Sequence, residues 1–292
     1  MPMSLKDIYM EKDIFILDLD GTVYRGKSII TDADNAIKKL LNMGKKVIYL
    51  TNNATKTPQS FCTKLNNMNI PCNLSQIVSS GYITSKMLAE EYNVKSAYIL
   101  GTKELVHTIE SQGITTLNNT LNEKKLLADF LDSSITCDAV VCAMDLSLTY
   151  AKIRTAMELI NRGASFYATN GDKTFPESQQ IWPGAGMTIA AVEACVGRPP
   201  EIVFGKPNTY GIDLIFQELN KNNKTYKRSD AILIGDRLET DIWQANNAAI
   251  DSILVETGID TRNTIPKKPY KDNENYLVPT YVEAHIKNLF NA

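Results

Sequence analysis

The chain reads as an α/β protein: an open, doubly wound parallel sheet with a second, smaller α/β unit inserted into it. Three observations predict this. Short, continuously apolar runs alternate with stretches of helical spacing along most of the 292 residues, the pattern of βαβ units whose strands are buried on both faces. Polar residues able to do chemistry recur directly after apolar runs, where ligands sit in such sheets. Between two of these strand ends the chain is far longer than one crossover needs.

The first strand is Ile14-Phe15-Ile16-Leu17, too short for a helix and apolar throughout. Ala33 to Met43 puts Ala36, Ile37, Leu40 and Leu41 on one side of a helix, and Gly44 supplies the residue that ends it. Lys46 to Leu50 is the next strand. Pro58 to Met68 is a helix, with Pro58 at its first position and Thr57 as its N-cap. Strand Ile77 to Ser79 and helix Ile83 to Tyr92 follow, then strand Ala97 to Leu100, helix Lys103 to Gln112 and strand Ala139 to Cys142. The same periods predict helix Tyr150 to Arg162, strand Ser165 to Ala168, helix Met187 to Cys195, strand Ile202 to Phe204 and helix Asn208 to Asn220. Strand Ala231 to Ile234, helix Glu239 to Asn247 and strand Ser252 to Val255 complete the series.

Composition excludes several classes. With 43% hydrophobic and 22% charged residues the chain is a globular protein. Its net charge of -2 gives no basic surplus for nucleic acid or an anionic membrane. Lys221 to Arg228 reads as a solvated loop. Met1 to Asp13 is too polar for a signal peptide, and no apolar run has the length of a membrane span. Cys62, Cys72, Cys137, Cys142 and Cys195 are scattered and odd in number, which reads as buried reduced thiols in a cytoplasmic protein. Neither His107 nor His285 sits beside a metal or triad partner in the sequence, so histidine-based catalysis is not expected.

The strand ends carry the chemistry. Asp18 and Asp20 follow the first strand, Thr51-Asn52-Asn53 the second, Gly205-Lys206-Pro207 the run Ile202 to Phe204, and Gly235-Asp236 the run Ala231 to Ile234, with Asp241 shortly after. Each piece alone reads as a turn, a cap or a solvated lysine. Together, on neighbouring strands, they would converge on one crevice. Several carboxylates there repel one another unless a cation lies among them. An all-oxygen set suits Mg²⁺, which binds one or two carboxylates and a phosphate oxygen. Lys206 and the Thr51 hydroxyl would hold phosphoryl oxygens, and phosphoryl transfer is mostly positioning and charge stabilisation.

Asp18-Leu19-Asp20-Gly21-Thr22, Thr51-Asn52, Lys206 and Gly235-Asp236 to Asp241 resemble the four motifs of the haloacid dehalogenase (HAD) superfamily. The resemblance runs from Ile14 to about Val255 and implies a Rossmann-like HAD core. It implies that Asp18 is the nucleophile, forming an aspartyl-phosphate, and that Asp20 is the general acid and then the base. It also implies phosphate binding by Thr51, Asn52 and Lys206, and Mg²⁺ binding by Asp18, the Asp20 carbonyl, Asp236 and Asp241. A second carboxylate at Asp20 favours a phosphatase or phosphomutase over a dehalogenase.

The long gap from Thr51 to Lys206 must hold the inserted unit, so residues 82–183 are expected to form an α/β cap and residues 1–81 and 184–292 the core. This resembles the type-2 cap of the NagD-like and para-nitrophenylphosphatase-like branch. So do Ala168-Thr169-Asn170-Gly171-Asp172 and Pro183-Gly184-Ala185-Gly186 to Gly197-Arg198. The likeness implies that Asn170 and Asp172 help choose the substrate; read as residues alone, Asn170 to Asp172 is equally an ordinary turn. It also implies homodimerisation through the cap. The histidines that eukaryotic pyridoxal-phosphate phosphatases of this type carry in Lys173 to Trp182 are absent. The expected activity is hydrolysis of small phosphate monoesters, such as para-nitrophenyl phosphate, phosphoglycolate, sugar or nucleotide phosphates. The alternatives are a phosphomutase and a non-catalytic binder of phosphorylated metabolites.

Overall fold

The computed structural model describes residues 10–121, 131–177, 180–221, 225–266 and 277–290. Most of the polar N-terminus, and the middle of Lys221 to Arg228, lie outside them. The chain forms two compact units, one drawn from residues 1–51, 58–78 and 206–292, the other from 52–57 and 79–205.

The first unit is built on a six-stranded sheet in the order Tyr281–Glu283, Asp251–Val255, Ala231–Gly235, Ile14–Leu17, Lys46–Thr51, Ile77–Ser79. The first five strands pair in parallel. From Ile14–Leu17 the chain moves to Lys46–Thr51 on one side, and from Ala231–Gly235 to Asp251–Val255 on the other. The switch point of the sheet therefore lies between Ile14–Leu17 and Ala231–Gly235. Leu17 stands opposite Ile234 on one neighbour and Tyr49 on the other, which brings the three strand ends to one level.

The apolar runs have the burial their sequence predicts: Ile14, Phe15, Ile16 and Leu17 are all fully buried. Phe15, Leu17, Tyr49, Ile232 and Ile234 share a core with Ala33, Ala36, Ile37 and Leu40 of helix Ala33–Asn42 and with Phe61 and Leu65 of helix Pro58–Asn67. Gly44, at φ 77°, follows the first of these helices in the left-handed conformation expected of it. A short hairpin, Tyr24–Arg25 with Ser28–Ile29, follows the first strand.

The second unit has a five-stranded parallel sheet, in the order Ile202–Val203, Ser165–Ala168, Ala139–Cys142, Ser96–Leu100, Thr115–Thr116. Ala151, Ala156, Leu159 and Ile160 of helix Tyr150–Asn161 and Ile189 and Val192 of helix Ala185–Val196 pack with Val140 and Phe166. An antiparallel hairpin, Thr174–Glu177 with Gln180–Pro183, adds an edge-to-face pair of Phe175 and Trp182 with centroids 6.1 Å apart.

The sequence boundaries of the inserted unit, 82–183, differ from those of the compact unit. Ile202 and Val203 pair with Tyr167 and Ala168, so the second unit runs on to Gly205. Residues 52–57 join it as well: Ser80 Oγ donates to the Asn52 carbonyl at 2.5 Å, and Thr102 Oγ1 to the Thr55 carbonyl at 3.3 Å. Helix Ser80–Glu90 starts before Ile83 because Ser79 Oγ accepts the Tyr82 N–H at 3.2 Å. Helix Trp243–Asn247 is preceded by a wide, π-type turn at Leu238–Ile242. All five cysteines are free, but Cys195, off the apolar stripe of its helix, is exposed.

Phe15→Ala should cost about 3–5 kcal/mol, because a large side chain is removed from a fully buried site. The urea midpoint, followed by fluorescence, should fall with the slope unchanged.

Candidate active site

Parallel register sets the geometry. Asp18 leaves its strand with its N–H donating to the Ile234 carbonyl at 2.9 Å. Asp236 follows Gly235, the last residue of the neighbouring strand. Both carboxylates thus stand at the switch point. Asp241 joins them from the wide turn, where the N–H groups of Asp241 and Ile242 both donate to the Arg237 carbonyl, at 3.0 and 3.3 Å. Carboxylate oxygens of Asp18, Asp236 and Asp241 all lie within 4.8 Å of one another.

Lys206 enters this group as a buried cation. Its Nζ donates to Asp18 Oδ1 at 2.5 Å and to Asp241 Oδ1 at 2.7 Å. Burial works against its charge, but Asp18 and Asp241 outweigh burial and hold the ammonium above its ordinary value. Burial raises the Asp18 carboxyl well above the usual range; Lys206 opposes that rise, and Asp241 and Asp236 add to it. Asp236 is pushed up to about 7, first by burial and then by the Asp241 charge, against the pull of the Ile259 N–H. One ammonium does not balance three buried carboxylates. A divalent cation would, and the all-oxygen donor set fits a hard one.

Close packing around the carboxylates excludes side chains. A Cβ on Gly258 would lie 1.7 Å from Asp236 Oδ2, and one on Gly21 2.3 Å from the same atom. Gly21 also needs φ 90°, a conformation that strains any residue with a Cβ. At Gly235 a Cβ would meet the Asp241 side chain at 2.3 Å. Backbone donors complete the arrangement: Ile259 N–H to Asp236 Oδ2 at 2.8 Å, and Arg237 N–H to Asp241 Oδ2 at 3.1 Å.

Of the residues singled out in the sequence, the structure therefore brings together Asp18, Lys206, Asp236 and Asp241. Asp20 is half-buried at the turn into the hairpin, in a bridge with Tyr24. Thr51 is buried at the end of its strand. Asn52, Asn170 and Asp172 meet one another in the second unit: Asn52 Nδ2 donates to Asp172 Oδ1 at 3.0 Å, and Asn170 Nδ2 to the Asn52 carbonyl at 2.8 Å.

Sequence reading missed the loop Thr257 to Asp260. Besides Gly258 and Ile259, it supplies Asp260, whose N–H donates to the Asp236 carbonyl at 3.0 Å and whose Oδ2 accepts the Leu238 N–H at 2.8 Å. Thr257 Oγ1 donates to the Gly21 carbonyl at 2.6 Å. Its signal was available: Thr257 and Gly258 come just after the apolar run ending at Val255, a fifth strand end.

Residues 15–115 match the family described as haloacid dehalogenase-like hydrolase, and residues 203–284 a HAD-hydrolase-like family. The chain is 32% identical over 254 residues to an acid sugar phosphatase of Staphylococcus saprophyticus, covering 87% of this chain and 90% of the relative. Among solved structures it resembles the 4-nitrophenylphosphatase of Thermotoga maritima, with a TM-score of 0.82 and 29% identity over 98% of both chains. It also resembles a glycerol phosphate phosphatase of Mycobacterium tuberculosis in complex with magnesium, with a TM-score of 0.81 and 25% identity over 97% of this chain and 77% of that one. The chain belongs to the haloacid dehalogenase-like hydrolases. Within them it is a phosphoric monoester hydrolase of the 4-nitrophenylphosphatase and NagD type. Among the described residues, no helix is long and apolar enough to cross a membrane.

Folded Asp236 keeps its proton to about pH 7, whereas the unperturbed value is 3.8. Between those values the folded state binds more protons, so metal-free protein should lose stability as pH rises through the window. The raised Asp18 contributes in the same direction. In chelator, the thermal midpoint of wild type should therefore fall relative to Asp236→Asn from pH 4 to 7, and a divalent cation should restore it near pH 7. A constant difference between the two proteins across that range would contradict this electrostatic picture.

Proposed function

We propose that the protein is a Mg²⁺-dependent phosphatase, acting on small phosphate monoesters through an aspartyl-phosphate on Asp18. The observation that carries this reading is the Asp18 carboxylate, buried, held 2.5 Å from Lys206 Nζ and grouped with Asp236 and Asp241. In the proposed reaction an Asp18 oxygen attacks phosphorus while the ester oxygen leaves. Asp20 gives that oxygen its proton. Asp20 then takes a proton from water as the water attacks phosphorus, releasing phosphate and free Asp18. Lys206 and Thr51 hold the phosphoryl oxygens, with Asn52 beside Thr51. Asp18, Asp236, Asp241 and the Asp20 carbonyl would hold Mg²⁺, which when bound neutralises charge on the carboxylates and the phosphoryl group.

The names of the relatives support the substrate class: sugar phosphates, nitrophenyl phosphate and glycerol phosphate. Nucleotides and phosphoglycolate belong to the same proposed range. The free cysteines support a reducing compartment, here the cytoplasm. Homodimerisation through the inserted unit is part of the proposal, and sedimentation would read whether the protein is a dimer.

Wild type with Mg²⁺ should release phosphate and nitrophenol from para-nitrophenyl phosphate in equal amounts. Chelator should abolish release, and Ca²⁺, which prefers more ligands, should restore it poorly. Asp18→Asn should lower the rate by at least about 10³-fold. Full activity in that variant, or in chelator, would sink the proposal.

A further inference from the structure

The side chains of Asn170 and Asp172 are occupied by the chain that follows Thr51. Asn170 is 4% exposed. Its Nδ2 donates to the Asn52 carbonyl at 2.8 Å and to Thr169 Oγ1 at 3.1 Å, and its Oδ1 accepts the Asp172 N–H at 3.2 Å. Both ends of the amide are thus engaged within the protein. The Asn52 carbonyl receives a second donor, Ser80 Oγ, so both its lone pairs are used. The Asn52 side chain is anchored as well, through Nδ2 to Asp172 Oδ1 at 3.0 Å.

The neighbouring backbone closes tightly on this group. A Cβ on Gly205 would lie 2.5 Å from Asn52 Oδ1, 2.7 Å from the Thr169 carbonyl oxygen and 2.9 Å from Asn170 Cβ. A Cβ on Gly184 would lie 2.3 Å from the Asp172 carbonyl oxygen. The Gly205 N–H donates to the Thr169 carbonyl at 2.8 Å. Asn52 follows Thr51 in the chain, and Gly205 precedes Lys206. The same knot of hydrogen bonds therefore sits one residue from each of the two side chains that would hold the phosphoryl group.

We infer that Asn170 and Asp172 are positioning residues: both clasp Asn52, and Asn170 also lies against Gly205, fixing where the chain leaves Thr51 and enters Lys206, rather than choosing the substrate. A side chain used in this way affects every phosphate ester alike. A shift of about 1 Å in a group that positions substrate can cost about 10²-fold in rate. The inference rests on the phosphatase reading for its kinetic consequence but not for its geometry.

The test compares wild type with Asn170→Asp, which keeps the shape and turns the donor facing the Asn52 carbonyl into an acceptor. Asp172→Ala and Asp172→Asn form the second pair, the asparagine keeping an oxygen for Asn52 Nδ2. With Mg²⁺ present, kcat and KM are measured on para-nitrophenyl phosphate, a sugar phosphate and glycerol phosphate, and affinity for inorganic phosphate by calorimetry. Asn170→Asp and Asp172→Ala should lose about 10- to 100-fold in kcat/KM by the same factor on all three esters. They should also bind inorganic phosphate more weakly, while Asp172→Asn recovers most of the loss. Loss on one ester with the others intact would overturn the inference in favour of substrate selection, and so would unchanged phosphate affinity. If Asn170→Asp does not fold, the Asp172 pair gives the same readings. Wild type that binds phosphate yet hydrolyses none of the esters would defeat the phosphatase reading, and the calorimetric comparison would still decide on the clasp.

Discussion

Three carboxylates and one ammonium, taken out of water around the ends of strands Ile14–Leu17 and Ala231–Gly235, are the constraint to which the rest of the core answers. Lys206 reaches Asp18 and Asp241 at ion-pair distance, yet one ammonium is matched against three carboxylates, and burial together with that mismatch holds Asp18 and Asp236 in favour of their protonated forms. Burial of unbalanced charge costs several kcal/mol per ion in proteins, and an apolar set of the same volume would be the more stable filling. In the proposed reading the group is an electrostatic receptor, arranged in advance for a cation and a phosphoryl group that bring opposite demands. Such preorganisation is the largest single contribution in many enzymes.

Meeting that constraint takes backbone as much as side chains. Parallel register brings the strand ends level, so that Asp18 and Asp236 emerge side by side. The wide turn then returns Asp241 against its own strand end, which is why residue 235 has no room for a Cβ. The Thr257 to Asp260 loop closes the far side with main-chain donors and a glycine. Each of these features lowers the freedom of a carboxylate whose charge would otherwise push it toward water.

How much could be read beforehand follows from where the information lies. Buried parallel strands are continuous apolar runs, so Ile14–Leu17 and Ala231–Gly235 were visible almost to their ends, and the aspartates after them with them. Gly258 was not, because its contribution is an absent side chain beside Asp236. The extension of the second compact unit to Gly205 is not legible locally, because Ile202 and Val203 join its sheet by pairing with Tyr167 and Ala168, a non-local contact that spacing does not encode. Asn52, Asn170 and Asp172 each stand out in the sequence, but the grouping of Asn52 with the other two joins residues more than a hundred positions apart, and no local pattern states it. The wide turn before Trp243 is not legible for a related reason: it spans only the five residues Leu238–Ile242, too few for apolar spacing to tell it from plain helix.

The division of the chain at Asn52–Thr57 bears on how such a protein could be recombined. An ordinary inserted domain moves between parents with two crossovers, one at each end of the insertion. Here the second unit also owns a short segment lying before helix Pro58–Asn67. A two-point exchange spanning Ser79 to Gly205 would leave Asn52 from one parent facing Asn170 and Asp172 from another. A working chimera has to inherit both pieces together.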